Sequence, residues 1–339
     1  MRPTPASSSF ASSLPRRLFI TGGSGYVGRN LIRHFSALGV EVVALARSAQ
    51  ACNAVQAAGA RAVEGDLFSP DLAARMAGCA ALVHAAADTD HGLPSAAQHR
   101  TNVDGTRQVL AAARAAGITR AVHLSTESVV LDGAALVQAT ESRPYPRRPA
   151  GGYSASKAQA EQIALAMSGG GFEVVAVRPR FVWGRDDSTA LPQLLAPVDS
   201  GQFAWIDGGR YRTSTTHIAN LVHGIERALC AGQPGEAYFI ADADDVEFRS
   251  FISALLLTQG RRVPDKQVPR WLVRGIATAG EWVGRLARGC WQPPVTRQAL
   301  ATSAVEVTLD TGKARRDLGY VPALSREQGL AELQAARTQ

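Results

Sequence analysis

The chain has 339 residues, which is enough to bury a large core in one large or two unequal lobes. Its formal net charge is +7, and no apolar run approaches the length that crosses a bilayer. No stripe of basic and aromatic residues accompanies this charge, so we expect no nucleic-acid partner. The four cysteines are scattered, with no C-x-x-C pair and no histidine at metal-ligand spacing, which predicts reduced thiols in a cytoplasmic protein without a metal site.

Residues 1–15 are rich in serine, proline and alanine and contain no acid, which predicts a disordered tail. After this tail, short apolar runs alternate with helical patterns at regular spacing. In chain order the patterns predict strands at residues 18–20, 40–46, 61–67, 81–87, 120–126 and 172–178, and helices at residues 26–37, 49–58, 72–76, 96–116 and 153–167. Because these strands are apolar throughout, we expect an α/β fold with a doubly wound parallel sheet of Rossmann type.

The alternation loosens beyond residue 180, where prolines and glycines become more frequent. Helical patterns continue at residues 218–231, 248–259 and 271–287, and a late strand is predicted at 237–240. We therefore expect a Rossmann domain at residues 16–180 and a smaller C-terminal substrate lobe at 181–339, interleaved with late elements of the first domain. Large apolar residues of this half indicate an apolar pocket, although core packing would account for several of them: Phe181, Trp183, Leu191, Leu194, Leu195, Phe203 and Trp205.

A glycine-rich turn joins the first predicted strand to the first predicted helix. Gly22, Gly25 and Gly28 are spaced G-x-x-G-x-x-G, which departs from the G-x-G-x-x-G of the usual dinucleotide fingerprint. A strand that turns through glycines onto a helix N-terminus aims unpaired backbone N–H groups and the positive end of the helix dipole at one place. The turn therefore predicts a site for the diphosphate of a nucleotide.

Tyr153 and Lys157 are four residues apart on a predicted helix, so both side chains lie on one face. A phenol ordinarily titrates near pH 10, about three units above neutrality, which makes it a poor acid or base there. A neighbouring ammonium favours the phenolate and is expected to bring the pKa of the phenol nearer to the working range. The same lysine can hydrogen-bond the ribose of a nicotinamide cofactor, whereas a surface Tyr–Lys pair is the alternative interpretation.

The chain resembles the extended short-chain dehydrogenases/reductases, in the branch that contains 3β-hydroxysteroid dehydrogenases and NAD-dependent epimerases/dehydratases. The motifs that carry the resemblance cover most of the chain. They are Thr21-Gly22 through Gly28, Gly65-Asp66-Leu67, His84-Ala85-Ala86-Ala87, Asn102 through Thr106, Ser125-Thr126, Tyr153 with Lys157, Arg178-Pro179 with Gly184, Thr216 through Val222, and Leu309 through Pro322. Together these motifs are specific for the superfamily and less so for the branch.

The resemblance implies a role for each of these positions. Tyr153 would be the general acid/base and Lys157 its partner and ribose clamp, while Thr126, in preference to Ser125, would hold the substrate oxygen. Asp66 would accept a hydrogen bond from the adenine amino group, unless it only caps a turn. The residues implied to contact or support the cofactor are Gly22, Ser24, Gly25, Tyr26, Val27, Asp66, Leu67, Ala85, Ala86, Ala87, Asn102, Ser125, Tyr153, Lys157, Pro179 and Phe181, with an N-cap as the alternative role for Asn102.

The end of the second predicted strand bears on the choice between NAD and NADP. Sites for NAD usually place an acid there to accept from the ribose 2′-hydroxyl, but this chain has Ala46-Arg47-Ser48. A guanidinium at Arg47 could bind a 2′-phosphate through two hydrogen bonds, and Ser48 could add a third. We therefore expect NADP in preference to NAD, with a solvated arginine as the alternative interpretation of Arg47.

The resemblance implies hydride transfer between a nicotinamide cofactor and a secondary alcohol or ketone of a hydrophobic substrate, either sterol-like or a long-chain 3-oxo compound. Dehydratases of the superfamily carry Ser-Thr-Asp-Glu after the fifth strand, whereas this chain has Ser125-Thr126-Glu127-Ser128, so a serine replaces the elimination base. A nucleotide-sugar 4-epimerase stays open as the alternative. A non-catalytic NADP-sensing module is disfavoured because the chain keeps Tyr153 and Lys157.

Two further regions lack an assigned role. The predicted helix at 271–287 combines tryptophans with arginines and could rest on a membrane surface, although packing on the core or on a partner subunit is favoured. His91 follows the fourth predicted strand and could line the substrate entrance, but loop histidines usually have no catalytic part. By analogy with the family, we expect a homodimer.

Overall fold

The computed structural model describes residues 14–287 and 291–338, so most of the predicted disordered tail lies outside the described residues. Fifteen strands are present in this part of the chain. They are β1 Arg17–Thr21, β2 Glu41–Ala46, β3 Arg61–Glu64, β4 Ala81–His84, β5 Arg120–Leu124, β6 Leu136–Ala139, β7 Glu173–Pro179, β8 Val182–Trp183, β9 Trp205–Ile206, β10 Arg212–Thr213, β11 Thr216–His217, β12 Ala237–Ile240, β13 Val246–Glu247, β14 Gln267–Val268 and β15 Val307–Leu309.

Helices connect most of these strands. They are α1 Tyr26–Ala37, α2 Ala49–Ala57, α3 Leu72–Arg75, α4 Ala96–His99, α5 Gly105–Ala115, α6 Gly152–Ala166, α7 Ala190–Asp199, α8 Ile218–Ala231, α9 Phe248–Thr258, α10 Arg270–Leu286, α11 Arg297–Ser303, α12 Gly312–Leu318 and α13 Arg326–Thr338. A π-helical turn, Arg100–Asp104, joins α4 to α5, so the single long helix predicted at 96–116 is interrupted. None of the described helices is long and apolar enough to cross a membrane.

The largest sheet has seven parallel strands in the order β12-β7-β5-β4-β1-β2-β3. Side chains alternate between the two faces of a strand, so Leu18 and Ile20 of β1 pack with α1, α8 and α12, while Phe19 packs with α3, α5 and α6. Both faces are therefore covered by helices. This arrangement confirms the doubly wound Rossmann sheet, with the late strand at 237–240 pairing with β7 at its edge.

The second half of the chain builds a smaller lobe beyond the carboxyl ends of the parallel strands. Its four-stranded sheet has the order β13-β10-β15-β6, so β6 from the first half of the chain pairs with β15 from the end. An apolar cluster that includes Trp183, Trp205 and Phe251 forms the core of this lobe. The smaller C-terminal lobe is thus confirmed, whereas the exact domain limits stay a prediction.

Three predicted strands end earlier than the sequence pattern indicates, and one of them, predicted at 120–126, ends at Leu124. The strand predicted at 61–67 ends at Glu64, and the one predicted at 81–87 ends at His84. Asp66 and Ala85 therefore lie in loops at the carboxyl edge of the sheet. Beyond β4 the small residues Ala85, Ala86 and Ala87 continue the apolar pattern into a loop, so hydrophobicity alone overestimates the length of that strand.

Candidate active site

The glycine-rich turn is packed so tightly that two of its positions admit only glycine. Gly22 has a φ of +72°, and a Cβ there would lie 2.7 Å from the backbone nitrogen of Ala86. A Cβ at Gly28 would overlap the carbonyl oxygen of Gly22, which accepts a 3.0 Å hydrogen bond from the backbone N–H of Gly25. The glycines therefore bring the turn, the start of α1 and the loop after β4 into direct contact, as required of a cradle for a diphosphate.

The start of α1 fits an anionic ligand. Gly25 is exposed at the N-cap and no side chain caps the helix, so its first N–H groups are directed outward without a side-chain partner. Ser24 and Val27 are half-buried beside it, while Tyr26 is buried. Among the described residues, the Tyr26 hydroxyl has no hydrogen-bond partner, and burial raises its pKa. A nicotinamide dinucleotide therefore fits the residues present here, although their contacts with it stay predictions.

The residues predicted to select the nucleotide lie on adjacent strand ends. Arg47 follows β2 and is exposed, and the backbone N–H of Gly65 donates to the carbonyl oxygen of Ala46 at 2.9 Å, which brings the loop of Asp66 close by. The Oδ1 atom of Asp66 accepts from the backbone N–H of Phe68 at 2.8 Å, so this carboxylate caps a turn. That observation agrees with the turn-cap alternative, and adenine binding by Asp66 stays a prediction.

Leu67 is half-buried beside this turn and lies against the start of α5. Its Cδ1 atom lies 2.7 Å from where a Cβ on Gly105 would be. The glycine at that position therefore lets the loop with Asp66 approach the helix closely.

Asn102 fastens the loop after β4 to the helix that carries Tyr153. Its side-chain nitrogen donates to the carbonyl oxygen of Asp88 at 2.9 Å and to Oγ of Ser156 at 3.0 Å, and its oxygen accepts from the backbone N–H of Asp88 at 2.7 Å. Asn102 lies within the π-helical turn, and the alternative role of an N-cap is therefore wrong. The three small residues of this loop, Ala85, Ala86 and Ala87, are half-buried at the sheet edge above Gly22.

Tyr153 and Lys157 project from the first two turns of α6 and are both buried, at 8% and 3% exposure. The ammonium of Lys157 donates to the carbonyl oxygen of Leu124, the last residue of β5, at 2.7 Å. Ser125 and Thr126 follow directly, and the hydroxyl of Thr126 lies close enough to Tyr153 to affect the pKa of its phenol. The structure therefore brings the three predicted catalytic side chains together at the carboxyl end of β5.

The pKa of Tyr153 does not follow the expectation from its spacing to Lys157. Burial raises this pKa, the negative charge of Glu127 raises it further, and the nearby hydroxyl of Thr126 opposes the rise. Burial also lowers the pKa of Lys157 to about 8, with the carboxylate of Glu161 opposing the change. The predicted fall in the pKa of the Tyr153 phenol is therefore wrong, because burial and the negative charge of Glu127 both raise that pKa.

A buried ion pair between Glu127 and Arg180 supports Thr126 from behind. The hydroxyl of Thr126 donates to Oε2 of Glu127 at 2.7 Å, and Oε1 of the same carboxylate accepts from Arg180 at 2.7 Å. The guanidinium also donates to Oγ1 of Thr213 at 3.0 Å and to the carbonyl oxygen of Thr302 at 2.8 Å. Sequence reasoning considered Glu127 only as part of a dehydratase motif, and nothing local to Arg180 indicated this pairing.

His91 contacts Tyr153, although the sequence left it without a role. The two ring centroids are 4.8 Å apart, and the carbonyl oxygen of His91 accepts from the hydroxyl of Thr296 at 2.7 Å. Burial lowers the pKa of His91, so the imidazole is neutral at pH 7. In the sequence, the only signal for His91 is its position just after a strand that ends at the sheet edge. That position does not show whether the loop turns toward Tyr153.

The remaining predicted residues divide between the sheet edge and the second lobe. The backbone N–H of Ser125 donates to the carbonyl oxygen of Val177 at 2.8 Å, and Pro179 ends the adjacent strand β7. Phe181 has a φ of +42° and packs edge-on against Phe251, with centroids 5.6 Å apart. Of the residues expected to line an apolar pocket, Trp183, Phe203 and Trp205 are buried in the core of the smaller lobe, so the core-packing alternative holds for them.

Comparison with known proteins identifies the family. The family model described as NAD dependent epimerase/dehydratase family matches residues 18–241. The chain belongs to this family. Among curated relatives, a 4-hydroxy-2-methyl-3-oxo-4-farnesyl-3,4-dihydroquinoline-1-oxide ketoreductase of Stigmatella aurantiaca is 48% identical over 321 residues, covering 94% of this chain and 96% of the relative. A 3-beta-hydroxysteroid dehydrogenase of Mycolicibacterium neoaurum is 30% identical, covering 93% and 90%.

Solved structures of the NAD-dependent epimerase/dehydratase family share the architecture. The dTDP-glucose 4,6-dehydratase DesIV of Streptomyces venezuelae, solved with NAD bound, has a TM-score of 0.73 and 25% identity, covering 94% of this chain and 96% of that one. The chain is thus an NAD(P)-dependent oxidoreductase of the extended short-chain dehydrogenase/reductase type, with relatives like the 3β-hydroxysteroid dehydrogenases.

Proposed function

We propose that the protein reduces a ketone of a hydrophobic substrate, sterol-like or long-chain 3-oxo, to a secondary alcohol, with NADP(H) preferred over NAD(H). The observation that carries the proposal is the geometry that brings Thr126, Tyr153 and Lys157 together at the end of β5, and the 48% identity to a ketoreductase supports reduction as the direction. A protonated group beside the substrate is what reduction needs, because the carbonyl oxygen gains a proton as the carbon gains hydride. The named substrates of both relatives are large and mainly apolar, which supports the substrate class.

Each catalytic side chain has a separate task in this proposal. A bound nicotinamide cofactor supplies the hydride. Tyr153 donates its phenolic proton to the substrate oxygen, and Lys157 binds the ribose and compensates the phenolate that results. Thr126 can donate to the same oxygen when its hydroxyl turns away from Glu127, to which it donates in the structure. The carbon–oxygen double bond becomes an alcohol with one hydride and one proton added.

The preference for NADP rests on the end of β2. Arg47 is exposed there, and Ser48 is exposed beside it while its Oγ accepts from the backbone N–H of Ala51 at 3.2 Å. An exposed guanidinium without an acid at this strand end suits a 2′-phosphate better than a 2′-hydroxyl. We expect Arg47→Ala to lower kcat/KM with NADPH by about ten-fold, the effect of losing one or two charged hydrogen bonds, and to leave kcat/KM with NADH unchanged.

A substrate panel tests the reaction. Long-chain 3-oxo esters, steroid ketones, small aromatic ketones and a UDP-sugar are each supplied with NADPH or NADH while absorbance at the nicotinamide band is followed. We expect oxidation of NADPH with the larger ketones, and its loss in Tyr153→Phe. Epimerisation of the nucleotide sugar, with no absorbance change from any ketone or alcohol, would instead assign the 4-epimerase alternative.

A further inference from the structure

Helix α10 is seated on the protein by a narrow stripe of small residues. Val273 and Ala277 are buried, and Gly280 and Gly284 continue the same stripe at helical spacing. A Cβ on Gly280 would lie 2.8 Å from Cβ of Pro293, and one on Gly284 would lie 2.6 Å from Cδ1 of Leu93. The helix therefore lies close to the body of the protein, but only its smallest side chains make that contact.

The large apolar side chains of α10 face the other way. Trp271 is 74% exposed, Trp282 65% and Leu286 64%, and three further side chains are also exposed: Leu272, Ile276 and Val283. Because successive residues of a helix turn by about 100°, these six positions occupy a continuous arc of about 140° opposite the buried stripe. A surface helix usually packs its apolar face on the core and exposes its polar face. Helix α10 does the opposite, because its large apolar side chains are in solvent.

Arg274 borders this apolar face, whereas Arg270, at the start of the helix, is paired with Asp207 at 3.3 Å. Arg274 and Thr278 are exposed on the side of the helix between the buried stripe and the tryptophans. In sequence, the stretch 270–291 carries four arginines and one glutamate, and Oε1 of that glutamate, Glu281, accepts from the backbone N–H of Arg297 at 2.7 Å. Tryptophans beside a cationic border are the composition of helices that lie in the plane of a membrane interface.

The buried stripe of α10 adjoins the candidate active site. Leu93, which contacts the helix at Gly284, belongs to the loop whose His91 lies against Tyr153. Trp291 is 44% exposed and lies 3.7 Å from where a Cβ on Gly280 would be, so it contacts α10 on the side of this stripe. The helix therefore packs beside the wall of the catalytic site, while its exposed apolar face lies on the opposite side.

We propose that α10 is an interfacial helix that docks the protein on anionic phospholipid membranes. Trp271, Trp282 and Leu286 enter the boundary between head groups and acyl chains, while Arg274 binds lipid phosphates. At 17 residues the helix is about 26 Å long and lies flat on the membrane. The excess of arginine over glutamate in the sequence of this stretch and the two exposed tryptophans on one face favour an anionic lipid surface over a second copy of the chain, which carries the same charge.

Vesicle flotation with the full chain tests the docking independently of catalysis. We expect the protein to bind vesicles of phosphatidylcholine and phosphatidylglycerol, to bind pure phosphatidylcholine less, and to be released by salt. The emission of Trp271, Trp282 and Trp291 should shift to the blue and be quenched by brominated lipid, since the other two tryptophans are already buried. Leu286→Ser should weaken binding about ten-fold, whereas Leu257→Ser, which removes a 53% exposed leucine from α9, should leave it unchanged.

Three outcomes would overturn the proposal. The first is no binding to either kind of vesicle, and the second is equal weakening by the Leu286 and Leu257 variants. The third is a dimer in solution that dissociates in Leu286→Ser and Trp282→Ser without any effect of vesicles, which would assign the face to a second copy. Activity toward a water-soluble ketone should be the same in all of these variants, so failure of the docking leaves the proposed reaction untouched.

Discussion

The imidazole of His91 lies against the phenol of Tyr153, with ring centroids 4.8 Å apart and planes inclined by 46°. The contact closes one side of the proposed proton donor with a neutral, half-buried ring. Ring contacts of this kind contribute about 0.5–1.5 kcal/mol beyond the area they bury. We infer that His91 holds the phenol in position and is therefore a positioning residue.

Substitution of His91 separates packing from proton transfer. Because packing is the inferred role, His91→Phe should keep kcat/KM within about three-fold, while His91→Ala should lower it about ten-fold. Steady-state reduction of the best ketone from the panel measures both. Equal losses in the two variants would show that the ring nitrogens are needed, which contradicts the inferred role.

Removal of the charge on Glu127 should change both stability and the pH profile. Glu127→Gln leaves Arg180 buried without its partner charge, so the free energy of unfolding should fall by about 3 kcal/mol. Since Glu127 raises the pKa of Tyr153, its loss lowers that pKa and should move the alkaline limb of ketone reduction to lower pH. Denaturant unfolding and pH–rate profiles measure the two effects.

Asp242→Asn is the matched control for Glu127→Gln. Asp242 is buried and accepts from Trp183 at 3.0 Å and from the backbone N–H of His217 at 2.7 Å. Its neutralisation should destabilise the smaller lobe without moving the pH profile. An unchanged profile in Glu127→Gln would contradict the electrostatic role assigned to that carboxylate.

Cofactor binding should weaken on the alkaline side of neutrality. Lys157 is cationic below its pKa, which burial lowers from 10.5 to about 8, so its charge is lost as the pH rises through about 8 and not above 10. NADPH affinity, measured by quenching of protein fluorescence from pH 6.5 to 9.5, should fall across this window. Lys157→Met should bind NADPH weakly at every pH. If NADPH affinity of the unsubstituted protein does not change with pH, the charge of Lys157 is not what binds the cofactor.

The glycine cradle gives a prediction with an internal control. Gly28→Ala places a methyl group on the carbonyl oxygen of Gly22 and should reduce NADPH affinity by at least about ten-fold. Gly275 has open space around its Cβ position and an ordinary helical backbone, so Gly275→Ala should leave affinity intact and stabilise the protein by about 0.5–1 kcal/mol. Titration of NADPH and thermal unfolding of both variants provide the test, and normal affinity in Gly28→Ala would exclude the turn as the diphosphate site.

Much of the fold followed from local patterns in the chain. Continuous apolar strands alternating with helices indicated a parallel sheet covered on both faces, and the strand at 237–240 was recognised despite its distance from the others. Tyr153 and Lys157 were recognised from their helical spacing together with their place in the predicted nucleotide fold and the resemblance to the family. The homodimer and the cytoplasmic location rest on analogy and composition, and both stay predictions.

The sequence by itself therefore determined the sheet, the glycine turn and the Tyr–Lys pair, since each depends on the spacing of residues that are close in the chain. The tertiary structure alone decided that Glu127 pairs with Arg180, 53 positions away, and that His91 meets Tyr153. It also decided which side of α10 is buried, because glycines allow close packing that large side chains would prevent. These three features depend on desolvation and on contacts between segments that are distant in the chain. A local sequence pattern carries no information on either.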